Sequence, residues 1–159
     1  MADFGKFFFQ NELVQFFNRQ THEQLDAACQ LLGSSFERCP SRFFALDSNY
    51  MQQEQLSWLE KELPASDSDW KIAFFHHPLY SSGEKHGADE KLREQLEPLF
   101  VAHGVDVVFT GHEHFYERVK PQKGIHYIIS GSAAKLRRGN IGDSDLTAKG
   151  YDQGYTFMI

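Results

Sequence analysis

Residues 109–118 have the sequence Phe-Thr-Gly-His-Glu-His-Phe-Tyr-Glu-Arg, and this stretch decides the fold. It follows residues 105–109, a run of β-branched and aromatic side chains with the length of a buried strand. Because the next two residues end that pattern, His112 and His114 are expected in a loop at the carboxyl end of the strand, where open α/β sheets bind ligands. Imidazole is the commonest metal ligand. Surface loops also carry histidines, however, so a metal site needs a second feature.

That feature is residues 71–80, which have the sequence Lys-Ile-Ala-Phe-Phe-His-His-Pro-Leu-Tyr. A second short apolar run ends here in histidine, and Pro78 prevents it from continuing as a central strand. A helix is predicted between the two strands, so they form a β-α-β unit and run in the same direction. His76, His112 and His114 are therefore expected at one edge of the sheet, as a shared metal site.

Residues 111–118 resemble the Gly-His-x-His motif, with its Tyr-Glu-Arg extension, of the purple acid phosphatases, which belong to the calcineurin-like metallophosphoesterases. Residues 75–80 are similar to the preceding histidine motif of that family. The segments 46–48 and 55–59 are similar to its central part. The resemblance is clearest over residues 43–134 and fades upstream.

This resemblance implies an α/β fold, namely part of the four-layer α/β/β/α metallophosphoesterase sandwich, with helices on one outer face. It also implies a metal-dependent hydrolase with phosphate esters as substrates and two metal ions, of Fe, Zn or Mn, in the complete site. Such ions hold the phosphate and lower the pKa of a bound water, from about 15.7 towards 7 at a zinc ion.

The site residues follow from the same resemblance. His76 and His112 would bind one metal ion and His114 the other. His86 matches a family histidine that binds the substrate phosphate or protonates the leaving group, a role that suits a side chain titrating near working pH. A solvated loop residue is the alternative interpretation of His86. His77 is expected to support the site without binding metal.

The family completes its site with Asp-x-His, Gly-Asp and Gly-Asn-His motifs, and none of them precedes residue 43. Residues 1–159 are therefore expected to be one truncated domain, the carboxyl-terminal half, explained by an incomplete gene, an alternative product or a decayed copy. Because three histidines cannot complete a two-metal site without carboxylates, the isolated chain is expected to show no turnover. The alternative function is an inactive remnant that binds a metal or a partner chain through an unpaired sheet edge.

Composition excludes some classes of protein. A formal net charge of −6 argues against a general nucleic-acid or anionic-membrane binder, and no apolar run approaches the roughly 20 residues of a membrane span. The 15 phenylalanines indicate a large aromatic core or a surface for a partner. Self-association is expected through an exposed sheet edge. Cys29 and Cys39 are interpreted as free thiols, with one disulfide as the alternative. No compartment is indicated.

Hydrophobic periodicity predicts the remaining elements. The predicted helices span residues 7–32, 51–63 and 88–102, and the predicted strands include 42–46 and 125–130. Asp47, Ser48 and Asn49 are candidate caps for the second helix. Residues 33–40 are predicted to be a turn-rich connection, 137–150 a mobile polar loop, and 155–159 the start of a strand. Asn140 and Asp143 resemble pieces of the missing motifs and are interpreted as coincidental.

Overall fold

The computed structural model describes residues 34–38, 40–133 and 135–158. The predicted helix over residues 7–32 lies outside the described residues, as do Cys29 and Cys39.

Seven strands form one mixed sheet in the described part of the chain. The strands are β1 (Ser34–Arg38), β2 (Ser41–Ala45), β3 (Trp70–Phe74), β4 (Val107–Thr110), β5 (Tyr116–Val119), β6 (His126–Ser130) and β7 (Thr147–Tyr151). Their order across the sheet is β1-β2-β3-β4-β6-β5-β7. β2, β3, β4 and β6 are parallel to one another, whereas β1, β5 and β7 pair antiparallel with their neighbours. The parallel centre places the ends of β3 and β4 at the same edge.

Two helices cover one face of the sheet. They are α1 (Gln53–Glu62), which follows β2, and α2 (Glu90–Ala102), which connects β3 to β4. The residues of the sheet row that faces them are register partners on the four parallel strands: Phe44, Ala73, Val108 and Tyr127. This row forms one buried cluster with leucines of both helices and with Phe100. The α/β class predicted from the sequence is confirmed.

The ends of the helices differ from the sequence expectation in one respect. Asp89 caps α2, because its carboxylate accepts the Leu92 N–H at 3.0 Å. The N-cap of α1 is Gln52, which makes no side-chain cap. The prediction that Asp47, Ser48 and Asn49 cap this helix is therefore wrong. Asp47 instead accepts the Asn49 N–H, and Ser48 accepts backbone N–H groups of the turn after β3.

Three strands lie where the sequence predicts none. Residues 34–38 form β1 rather than a turn, and β5 occupies the end of the histidine motif. The segment 137–150 is not a free loop, because its last residues begin β7 and pair with β5. No strand is formed over residues 155–158, so the prediction that a strand begins there is wrong. Within the described residues, neither helix has both the length and the apolarity needed to cross a membrane.

Candidate metal centre

The carboxyl ends of β3 and β4 hold two histidine-bearing loops side by side. The parallel ladder extends past the end of β3, because Phe75 N–H donates to the carbonyl of Phe109 in β4 at 3.1 Å. Beyond that pair, Gly111 N–H donates to the His76 carbonyl at 3.1 Å. These bonds fix the turn after β3 against the loop after β4, and the structure thereby brings His76 and His112 together.

His112 has a backbone φ of 61°, a left-handed conformation that is uncommon outside glycine and often found at functional sites. Its Nδ1 lies 3.0 Å from Nε2 of His76. Burial is the largest of the effects that lower the pKa of His112 to about 4, and the neighbouring His77 and His86 act in the same direction. The ring is therefore neutral at neutral pH, the protonation state in which imidazole binds a metal ion.

Ser48 orients the other histidine of the β3 turn. Its buried Oγ accepts the backbone N–H groups of His76 and His77, both at 3.1 Å, and shares a hydrogen bond of 3.0 Å with His77 Nδ1. His76, His77 and His112 each offer one ligand atom, and these atoms lie within 4.8 Å of one another. This group, which we call the three-histidine group, has the size and chemistry of a metal site.

His114 follows on the same loop but is not a member of the three-histidine group. Its Nδ1 is buried and has no hydrogen-bond partner among the described residues. Burial lowers the pKa of His114, and the charges of Arg137 and Lys135 lower it further. At neutral pH His114 is therefore uncharged, and its buried ring nitrogen lies beside the three-histidine group. These are properties of a metal ligand.

His86 lies at the mouth of the three-histidine group. Its side chain is exposed, and its ring centroid is 4.5 Å from that of His112. Glu113 fixes its backbone, since the N–H groups of His86 and Gly87 both donate to Glu113 Oε1, at 3.0 and 2.8 Å. An exposed imidazole on a fixed backbone can approach a molecule that binds at the histidines.

Glu113, the residue between the two histidines of the motif, is fully buried. Its Oε2 accepts Asn140 Nδ2 at 2.8 Å and lies 3.8 Å from Arg137 Nη1. A Cβ on Gly83 would overlap its carboxylate, and one on Gly131 would overlap its carbonyl oxygen. One carboxylate thus ties the loop that carries His86 and the loop before β7 to the sheet.

Glu117, at the other end of the motif, also attaches two segments of the chain to the sheet. Its buried carboxylate accepts Ser82 N–H at 2.9 Å and the Thr147 hydroxyl at 2.5 Å. The predicted mobile loop is therefore attached to the site at several points. His103, the C-cap of α2, and His126, at the start of β6, lie outside the three-histidine group.

Three of these contacts have no signal in the sequence. Glu113 occupies the variable position of its motif, and nothing local indicates that it is buried. Ser48 reads as a helix cap because serine favours that position. Asn140 resembles a fragment of a metal motif, yet it contacts Glu113. Only the long-range pairing of the strands gives these residues their partners.

The model of the calcineurin-like phosphoesterase family matches residues 9–116 of this chain. The chain belongs to this family. The match includes both histidine loops and begins upstream of residue 43, where the motif resemblance starts.

Relatives of the chain in this family include acid phosphatases. Human tartrate-resistant acid phosphatase type 5 is 35% identical over 82 residues, which are 52% of this chain and 25% of the human protein. The Fe(3+)-Zn(2+) purple acid phosphatase 12 of Arabidopsis thaliana is 44% identical over 79 residues, 47% of this chain and 17% of that protein. The chain spans a quarter or less of the length of these relatives. The resemblance to purple acid phosphatases is confirmed.

A solved structure shares the fold. Purple acid phosphatase PPD1 from yellow lupin seeds superposes with a TM-score of 0.69 at 22% identity, over 77% of this chain and 27% of that one. The described sheet and its two helices therefore belong to the metallophosphoesterase architecture, of which they form a part.

The family uses a pair of metal ions, and the name of the Arabidopsis relative specifies iron and zinc. The residues present fit such an ion. The three-histidine group supplies imidazoles, which suit zinc and iron. His114 adds a buried ring nitrogen without a hydrogen-bond partner among the described residues.

Proposed function

We propose that this chain carries the histidine half of a phosphate-ester hydrolase centre. In this centre His76 and His112 hold one metal ion and His114 the other. His86 binds the substrate phosphate or protonates the leaving group. The observation that carries the proposal is the 3.0 Å approach of His112 Nδ1 to His76 Nε2 at the carboxyl ends of two adjacent parallel strands.

A metal ion bound there would hold the phosphate and lower the pKa of a bound water. The residues of the chain contribute two further features. Burial keeps His112 neutral and available as a ligand. The carboxylate of Glu113 holds the backbone of His86, so that its ring stays 4.5 Å from that of His112. A positioned imidazole of this kind contributes to proton transfer in the transition state.

A second candidate is a catalytically inactive module that binds a metal ion or a partner chain. The observation that favours it is the make-up of the three-histidine group, which contains no carboxylate among the described residues. Two cations a few ångströms apart repel strongly, and neutral imidazoles do not offset that repulsion. In the part of the chain that the structure describes, β1 and β7 are the edge strands through which such a module would pair with a second copy.

The two candidates are separated by turnover of p-nitrophenyl phosphate in the presence of added zinc, manganese or iron. Metal-dependent turnover would support the hydrolase, in which His86 is held beside the histidines. His112→Ala and His114→Ala should each nearly abolish it. His86→Ala should reduce turnover roughly 10²–10⁴-fold, the usual contribution of general acid–base catalysis, and leave metal binding intact.

His126→Ala is the matched control, since this exposed histidine lies at the far end of β6. Turnover that is equal in wild type and His112→Ala would contradict the hydrolase. A wild-type chain that binds metal without any turnover would instead support the inactive module.

A further inference from the structure

We propose that His77 is a metal ligand, and that His76, His77 and His112 together hold a single divalent transition-metal ion. The inference rests on the proposed function in so far as it shares two ligands with that centre. It differs in the third ligand, because the proposed function gives His77 no role in binding the ion.

The arrangement of the rings carries the inference. The centroid distances are 4.8 Å between His76 and His77, 4.7 Å between His77 and His112, and 4.9 Å between His76 and His112. The rings thus form a nearly equilateral triangle in which none is remote. Nitrogens that bind one tetrahedral zinc at about 2.0–2.1 Å are themselves about 3.3 Å apart. The ligand atoms of the group lie within 4.8 Å of one another, and small rotations of the side chains would bring them to that spacing.

The surroundings of His77 have the features of a ligand. Metal-binding histidines commonly engage their other ring nitrogen in a hydrogen bond to an oxygen atom, which fixes the ring. Ser48 Oγ makes this contact with His77 Nδ1 at 3.0 Å, which fixes the His77 ring beside the other two histidines. The same hydroxyl holds the backbone of His76 and His77, so one serine orients two ligands.

The ligand set also indicates the type of ion. Three imidazoles without a carboxylate suit zinc and similar transition metals, and do not suit magnesium or calcium, which prefer oxygen ligands. Three protein ligands leave a fourth position open, as in catalytic zinc sites. All three histidines are partly exposed, so an ion can reach them.

The test is titration of the metal-stripped full chain with Co²⁺ and with Zn²⁺, followed by visible absorption and by calorimetry. Loss of an outer hydrogen-bond partner costs roughly 10–100-fold in metal affinity, so Ser48→Ala should weaken binding by that amount. His77→Ala should weaken it by more and abolish the tetrahedral Co²⁺ spectrum. His126→Ala should bind as wild type does, and His114→Ala should retain the spectrum.

Zinc should also raise the melting temperature of wild type and of His126→Ala, but not of His77→Gln, which keeps a side chain of similar size. Equal affinities and spectra for His77→Ala and His126→Ala would overturn the inference. If the ion were lost in His112→Ala and His114→Ala but kept in His77→Ala, the proposed function would stand and this inference would fail. If ion binding required His77 but the wild type had no phosphatase activity, this inference would stand and the proposed function would fail.

Discussion

At the scale of single residues, a buried charge is the feature that shapes the site. An isolated carboxylate in a protein interior is costly unless it is paired and hydrogen-bonded. Glu113 accepts hydrogen bonds from the backbone of His86 and Gly87 and from the side chain of Asn140, and lies within ion-pair distance of Arg137. Its burial is therefore compensated, and the compensation holds two loops in place.

Replacement of Glu113 by glutamine tests this role. The amide has only one acceptor oxygen, so either Asn140 or the backbone of His86 must face an N–H group. We expect the free energy of unfolding to fall by about 1–3 kcal/mol, the cost of leaving buried donors unpaired, as measured by urea denaturation. Glu84→Gln, on an exposed residue of the same loop, is the control. Equal midpoints for the two variants would show that Glu113 does not hold the loops.

The sequence predicts the approach of His76 to His112, because two parallel strands that each end in histidine must place them at one edge. It does not predict that His77 lies as near to His112 as His76 does. That proximity depends on Ser48, which is 29 residues away in sequence from His77.

At the scale of elements, Glu97 joins α2 to the sheet. This buried residue accepts hydrogen bonds from Tyr80 at 2.6 Å, Lys123 at 2.6 Å and Tyr127 at 3.4 Å. These partners lie on the loop after β3, the β5–β6 turn and β6. Burial and the bond to Glu97 raise the pKa of Tyr80 to about 12. One carboxylate thus connects three parts of the fold to the crossover helix.

Acid should weaken this connection. Burial alone would raise the pKa of Glu97, but the hydrogen bonds of Lys123 and Tyr80 outweigh it and the pKa is lowered from 4.5. A lowered pKa in the folded state gives stability that is present above the unfolded pKa and is lost as pH falls through the folded value. We expect wild type to lose stability below about pH 4.5, and Glu97→Gln to lose less over the same range, in denaturant titrations at several pH values. An unchanged slope in Glu97→Gln would contradict this assignment.

The elements predicted from the sequence are those with a strong apolar pattern. β2, β3, β4, β6 and both helices are near their predicted positions because each has a hydrophobic run or a helical face. β7 has the sequence Thr-Ala-Lys-Gly-Tyr, which carries no alternation of apolar side chains. Its pairing with β5 comes from the neighbouring strand, and strand formation depends strongly on such context. The same holds for β1, which pairs with β2.

At the scale of the whole molecule, helices α1 and α2 cover one face of the sheet, and its edges within the described residues are β1 and β7. Self-association through an edge stays a prediction. Tyr151, at the end of β7, is 44% exposed, and the nearby Tyr155 and Phe157 are more so. We expect sedimentation velocity to show concentration-dependent association that Tyr151→Lys reduces, because charges on edge strands oppose pairing.

Tyr50→Lys provides the control for this measurement, since Tyr50 is also exposed but lies before α1, away from β7. A chain that stays monomeric at every concentration, or that responds equally to both substitutions, would exclude association through β7.

The candidate metal centre lies at the edge of the sheet where β3 and β4 end. The measurement that decides whether this edge is a metal centre is the zinc content per chain after dialysis, compared between wild type and His112→Ala. Because Nδ1 of His112 lies 3.0 Å from Nε2 of His76, we expect wild type to retain at least one ion per chain and His112→Ala to lose it. Equal zinc content in the two proteins would contradict a metal centre at this edge of the sheet.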